Sequence, residues 1–266
     1  MIDFLDSALV PLLLAVVGLP LVLRAFVQQG KRRAMHATPT VTCAEIAEYD
    51  EPVVCEVKGT AVPGPGGPAQ APFSGQPCVW HRTKVTVRYE RTQTRDGKTE
   101  TTTHEETVHD ETHGAPFAVR DIAGEVLIVH DGEPVDRPAQ SLSHYERAGR
   151  DVNLFGLSFR VNFSNVKGHL YEEWIIPQGR SLYVLGAAMA EDGGLVMRRP
   201  HADPFIISTR SEEELSASLR LGLYVGYIAG GALLAASLIW LVLELVHAHP
   251  GAHLWNLIFG DEPPLG

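Results

Sequence analysis

The stretch RTKVTVRYERTQTRDGKTETTTHEETVHDE, Arg82 to Glu111, decides how the middle of this chain folds. Val85, Val87 and Tyr89 alternate with Lys84, Thr86 and Arg88, the two-residue period of a half-buried strand. Asp96-Gly97 then marks a tight hairpin turn, because both central residues of a type I′ turn need positive φ. If Arg95 pairs with Lys98, Arg88 faces Glu105, Thr92 faces Thr101, Thr86 faces Thr107 and Arg82 faces Glu111. Opposite charges and threonine pairs stabilise antiparallel neighbours by roughly 0.2–1 kcal/mol each, so this register supports itself.

Outward from the hairpin the strand pattern continues. PVVCEVKGTAV (52–62) is rich in β-branched residues, and PGPGGPAQAP (63–72) holds too many breakers for a helix or strand. PFAVRD (116–121), GEVLIVH (124–130), GHLYEEWIIP (168–177), RSLYVLGAAM (180–189), GGLVMRR (193–199) and PFIIST (204–209) are further expected strands between Gly, Asp and Pro turns. PAQSLSHYERAG (138–149) is expected to be a short helix. Ser211 and Glu214 have capping-box spacing and open a helix through Leu215 and Leu219.

Two apolar blocks flank this region. Ser7 to Leu23 is 17 uncharged residues, extended to Val27 if Arg24 snorkels, and Leu221 to Leu243 is 23 uncharged residues. A bilayer-crossing helix needs about 20. The leading MIDFLD carries Asp3 and Asp6 and no Lys or Arg, unlike the basic start of a signal peptide. The chain is therefore expected to be a membrane protein with transmembrane helices over 7–27 and 221–246 flanking one β-rich α+β domain over 34–219. A short interfacial tail follows over 247–266, with His247, His249 and His253 near Trp255, Ile258 and Phe259. Arg24, Lys31, Arg32 and Arg33 follow the first span, and Arg210 and Arg220 precede the second. The positive-inside rule then places the middle domain in the cytoplasm and both termini outside.

With 266 residues and a net charge of −10, the chain is long enough for a real core and lacks the basic footprint of a nucleic-acid binder. Its three cysteines, Cys43, Cys55 and Cys78, fit a reducing compartment better than a disulfide framework. His104, His109 and His113 lie among four acidic residues in THEETVHDETHG (103–114). On a strand His104 faces away from the other two, which stand roughly 13 Å apart. No metal is expected there. Cys78 and His81, three apart, fall on opposite faces of a strand, so the thiol to test, Cys78, lacks a base beside it. GGPAQAPFSG has no Lys and no strand-to-helix context for a phosphate loop, and no cofactor is expected. No catalytic residue is assigned. Gly222, Gly226 and Gly230 recur every fourth residue in the second span, spacing that suits close helix packing, either in a homo-oligomer or against the first span.

The ordered segments VKGTAVP, APFSGQPCVWHRTKV, PFAVRDIAGEVLIV, YEEWIIPQGRSLYVLGAA and DPFIISTRSEEEL, followed by a transmembrane helix, resemble the GIDE-domain family. That domain sits between two spans in the MULAN-like mitochondrial ubiquitin ligases and their prokaryotic relatives. In the ligases a C-terminal RING finger, needing eight Cys/His zinc ligands, carries the transfer chemistry. Only 23 residues follow Leu243 and none is Cys, so a prokaryotic relative without the RING is expected, in a bacterial plasma membrane. The resemblance implies a domain that binds an unidentified protein partner, with the bilayer as its other partner. Trp80, Arg82 and Arg88, with Glu105 and Glu111, are the expected binding surface. The competing expectation is a transferase component acting with separate subunits, or a thiol enzyme using Cys78.

Overall fold

The computed structural model describes residues 2–95, 98–147, 151–154, 157–160 and 165–248. The Asp96-Gly97 turn and the tail from 249 onward lie outside the described residues. In chain order the elements are α1 (Ile2–Ala37), α2 (Cys43–Ile46), β1 (Val53–Val62), β2 (Ala69–Gln70), β3 (Pro77–Cys78), β4 (Trp80–Arg95), β5 (Lys98–Thr112) and β6 (Phe117–Arg120). Then come β7 (Glu125–Ile128), β8 (Val135–Asp136), β9 (Ala139–Glu146), β10 (Asp151–Leu154), β11 (Leu157–Arg160), β12 (Val166–Ile176), β13 (Ser181–Glu191), β14 (Gly194–Arg198), β15 (Ile206–Ser208) and α3 (Glu212–Ala248). The chain divides into two units, one running to Arg33 and resuming at Ser216, the other Ala34–Leu215.

The first unit is a pair of long apolar helices. Windows at Leu9–Ala37 and Glu212–Glu244 are long and apolar enough to cross a membrane. The Ser211 hydroxyl accepts the Glu214 N–H at 3.3 Å, capping the start of α3. Within the unit the helices run antiparallel with their small residues inward. A Cβ added at Gly226 would lie 2.7 Å from the Ala25 Cβ, and one at Gly230 would lie 2.9 Å from the Gly18 carbonyl oxygen. The glycine stripe therefore receives α1 of its own chain, and small residues let the backbones approach. Pro11 stands inside α1, and its carbonyl accepts the Ser237 hydroxyl at 2.8 Å.

In the second unit, β1, β6, β7, β14 and β13 close into a five-stranded ring through the β1–β13 pairing, and β15 and β8 extend the sheet from β13. Closure leaves few bare edges, which protects β-rich chains from edge pairing. The ring is filled by Cys55, Val57, Ala61, Phe117, Val119, Val126, Ile128, Val184 and Met197, all buried. Gly59 is needed where β1 crosses β6, since a Cβ there would stand 2.3 Å from the Arg120 carbonyl oxygen.

A second sheet, ordered β5-β4-β12-β9, carries the predicted hairpin. Arg95 pairs with Lys98, Thr92 with Thr101, Arg88 with Glu105 and Thr86 with Thr107, as the sequence predicts. Beyond Thr86 the expected register fails. Val85 pairs with His109, leaving Val108 as the extra residue of a β-bulge, so Arg82 sits opposite Thr112 and Glu111 opposite Thr83. The bulge lets Val108 pack on the Phe73, Val85 and Tyr171 cluster while His109 turns inward to the Thr83 hydroxyl at 2.8 Å. The helix expected over 138–149 is a second correction, because Ala139–Glu146 is strand β9, paired from Glu146 opposite His169 to Ala139 opposite Ile175. The free edge of β12 supplies the ladder bonds, and Ser, His and Tyr are weak helix formers.

Candidate functional site

Where the hairpin sheet meets the extension of the ring, a cleft of about 450 Å³ opens. Trp80 and Arg82 from β4, Asp110 and Thr112 from β5, and Trp174 from β12 form one side. The segment Gly132 to Pro138 around β8 forms the other, with Pro134, Val135 and Arg137. Strand alternation explains the first side. Arg82, Asp110 and Trp174 point from neighbouring strands to the same face, because the bulge has advanced β5 by one residue.

The electrostatics of this face centre on one ion pair. The Arg82 guanidinium donates to both Asp110 carboxylate oxygens, Nε and Nη2 each at 2.7 Å, and its Cζ lies 5.8 Å from the Trp174 ring centroid. The fork geometry suits a carboxylate, and the indole face takes the cation's remaining surface. Its hydrogen bonds hold the Asp110 carboxyl below its ordinary value. Trp80 is buried in the main core, and its indole N–H has no acceptor among the described residues.

The opposite wall is held against its own backbone preference. Arg137 has φ +54°, in the left-handed region, although it precedes Pro138 and is not glycine. Such a position costs on the order of 1–3 kcal/mol and persists only when its surroundings fix it. Here the Asp136 carboxylate receives Arg210 Nε and Nη2, each at 2.8 Å, and the Ser208 hydroxyl at 2.8 Å. The Thr209 hydroxyl donates to the Arg137 carbonyl at 2.5 Å. This bracket displays the Arg137 side chain, exposed and without an ion-pair partner among the described residues, at the cleft. Upstream, His130 accepts the Gly132 N–H on Nδ1 at 3.3 Å, so its proton belongs on Nε2, which donates to the Ala115 carbonyl at 3.2 Å. Burial holds the ring's pKa down, in keeping with a neutral tautomer.

The remaining sequence-predicted residues lie elsewhere. Arg88 and Glu105 pair on the exposed arm of the hairpin, with Arg88 over the Tyr145 ring at 5.4 Å, away from the cleft lining. Glu111 belongs to the other face of the sheet, 3.8 Å from the buried His109 Nδ1; Asp110 takes the place expected of it beside Arg82. Arg137, Trp174, Asp110, Pro134 and Pro138 are among the cleft residues that sequence reasoning missed. Trp174 carried a signal, as the lone tryptophan of an expected strand.

Cys78 is fully buried among Ala71 and Ile175, and burial, aided by the nearby Glu173 charge, pushes its thiol up to about 11. Its possible base, His81, instead packs on His113 with ring centroids 4.7 Å apart. Cys43 and Cys55 are buried too, at about 12 and about 11. His104 stacks on Tyr89 at 5.6 Å, so the three histidines of 103–114 have three separate neighbourhoods. Among the described residues no group of three or more His, Cys, Asp or Glu side chains is placed to hold a metal. Glu173 itself is buried, and accepts the Phe73 N–H at 2.6 Å, the Ser74 hydroxyl at 2.5 Å and the Ser141 hydroxyl at 2.6 Å. It pins the loop before Cys78 to the sheet.

A family model described as GIDE, an E3 ubiquitin ligase family, matches residues 86–242, more than half of the chain. No curated protein and no solved structure matches.

Proposed function

Because the chain belongs to the GIDE family, we propose that it is a membrane-anchored, non-catalytic module whose β-rich unit binds a partner protein. The observation that carries this reading is the cleft of Trp80, Arg82, Trp174 and Arg137. The positive φ at Arg137, in a turn held by four side-chain hydrogen bonds, supports reading it as a displayed recognition residue. The two apolar helices hold the module at a bilayer. The basic residues Arg24, Lys31, Arg32, Arg33, Arg210 and Arg220, all on the domain side of the spans, support a cytoplasmic domain with both termini outside, in a bacterial plasma membrane. Cross-linking in native membranes followed by purification of the full chain tests the reading. A specific partner should be recovered from wild type and lost in Trp174→Ala; recovery of none, or of the same set from both, defeats it.

The family's description favours a second reading, a component of a ubiquitin-like transferase acting with separate subunits. In its thiol form a covalent adduct would disappear in Cys78→Ala. The burial of Cys78 and its raised pKa count against that form.

A further inference from the structure

The cleft's charge and shape carry the reading one step further, to the chemistry of its occupant. The Nε/Nη2 fork of Arg82 is taken by Asp110, so that pair presents no net charge to a ligand. Arg137 is the cation left over, on a wall where no described carboxylate pairs with it. One uncompensated guanidinium matches one carboxylate, in fork-to-fork geometry. A doubly charged phosphate fits less well, because a single free guanidinium leaves one of its charges unmatched. Beside the cation, half-buried Trp174, exposed Pro134 and half-buried Pro138 form the smaller, apolar part of a mainly polar lining. Rigid rings of this kind bind apolar side chains at little cost in side-chain entropy. In a chain of net charge −10, such a pocket is a local recognition device and not part of a general attraction for anions.

We infer that the cleft takes an acidic peptide segment of the partner, with one side-chain carboxylate on Arg137 and a neighbouring apolar side chain against Trp174, Pro134 and Pro138; this rests on the partner-binding reading above. Arg210 and Asp136 act as positioning residues, since their pairing fixes the turn that aims Arg137.

The test is isothermal titration of the full chain in detergent micelles with a capped peptide, acetyl-Pro-Leu-Glu-Leu-Pro-Gly-amide. Three controls accompany it: the same peptide with Gln replacing Glu, propionate, and the variants Arg137→Gln and Arg137→Lys. The Glu peptide should bind at least about tenfold more tightly than the Gln peptide, and Arg137→Gln should abolish that preference. Arg137→Lys should restore part of it. Equal binding of the two peptides overturns the inference, as does no binding of either. Propionate binding as tight as the Glu peptide's overturns it too, by making the cleft a small-carboxylate site. If Arg137→Gln fails to fold, the two peptides on wild type decide alone. Should the peptides fail while the cross-linked partner is still recovered from wild type and lost in Trp174→Ala, the partner reading stands and only its acidic-peptide form falls.

Discussion

At the scale of single residues, buried polar groups dominate. Buried Glu173 accepts the Phe73 and Ser74 N–H groups, the Ser74 hydroxyl and the Ser141 hydroxyl. Replacing it with alanine strands one buried and three half-buried donors at once, and we expect a loss of about 2–4 kcal/mol, measured as a shift in chemical denaturation of the full chain in micelles. Glu105→Ala should leave the denaturation midpoint nearly unchanged, because its pair with Arg88 is exposed to solvent. Burial holds His81, His130 and His169 below their ordinary pKa. A histidine depressed in the folded state takes up its proton more readily when unfolded, so its stability contribution is complete above about pH 6.5 and is lost as pH falls below that. The thermal midpoint should therefore drop between about pH 7.5 and about pH 5.5, and the drop should shrink in His130→Gln. Glu56, pushed up by burial, contributes in the opposite sense, which makes the histidine variant the deciding measurement.

Among the elements, the hairpin and the β8 turn set the cleft. One inserted residue, Val108, moves Asp110 instead of Glu111 to the face of Arg82. The hairpin itself was legible from alternation and the Asp-Gly signal, but the bulge was not: it answers to what Val108 and His109 touch in the cluster beneath, which local pattern does not contain. The same applies to β9, where Ser, His and Tyr without clear alternation become a strand because an adjacent edge offers backbone partners. At β8 we expect Asp136→Ala to destabilise the unit by about 2–3 kcal/mol. It should also loosen Arg137, read as faster amide hydrogen exchange confined to residues around 135–138 and 208–210 before global unfolding.

For the whole molecule, the division into an apolar helix pair and a β unit follows from composition alone, while the use of the glycine stripe does not. Spacing at Gly222, Gly226 and Gly230 permitted either a second copy or the first span as partner, and the structure seats α1 there. Gly226→Leu should therefore push α1 from α3. Disulfide formation between cysteines introduced at Gly18 and Gly230 in membranes is expected to fall severalfold in that variant, whereas unchanged yield would show that the pairing tolerates bulk.

Length, hydropathy and strand alternation determined by themselves the two apolar spans, the β-rich unit between them and most of the hairpin register, because each depends on a residue and its near neighbours. The family, too, was legible in short ordered motifs. Only the tertiary structure decided that Arg137 and Trp174, 37 residues apart in sequence, face the same cleft. It also decided that Asp110 rather than Glu111 meets Arg82, and that Cys78 is sealed away from solvent. Those outcomes come from how two sheets pack and where one residue bulges, and the free energy that sets them is shared among contacts distant along the chain.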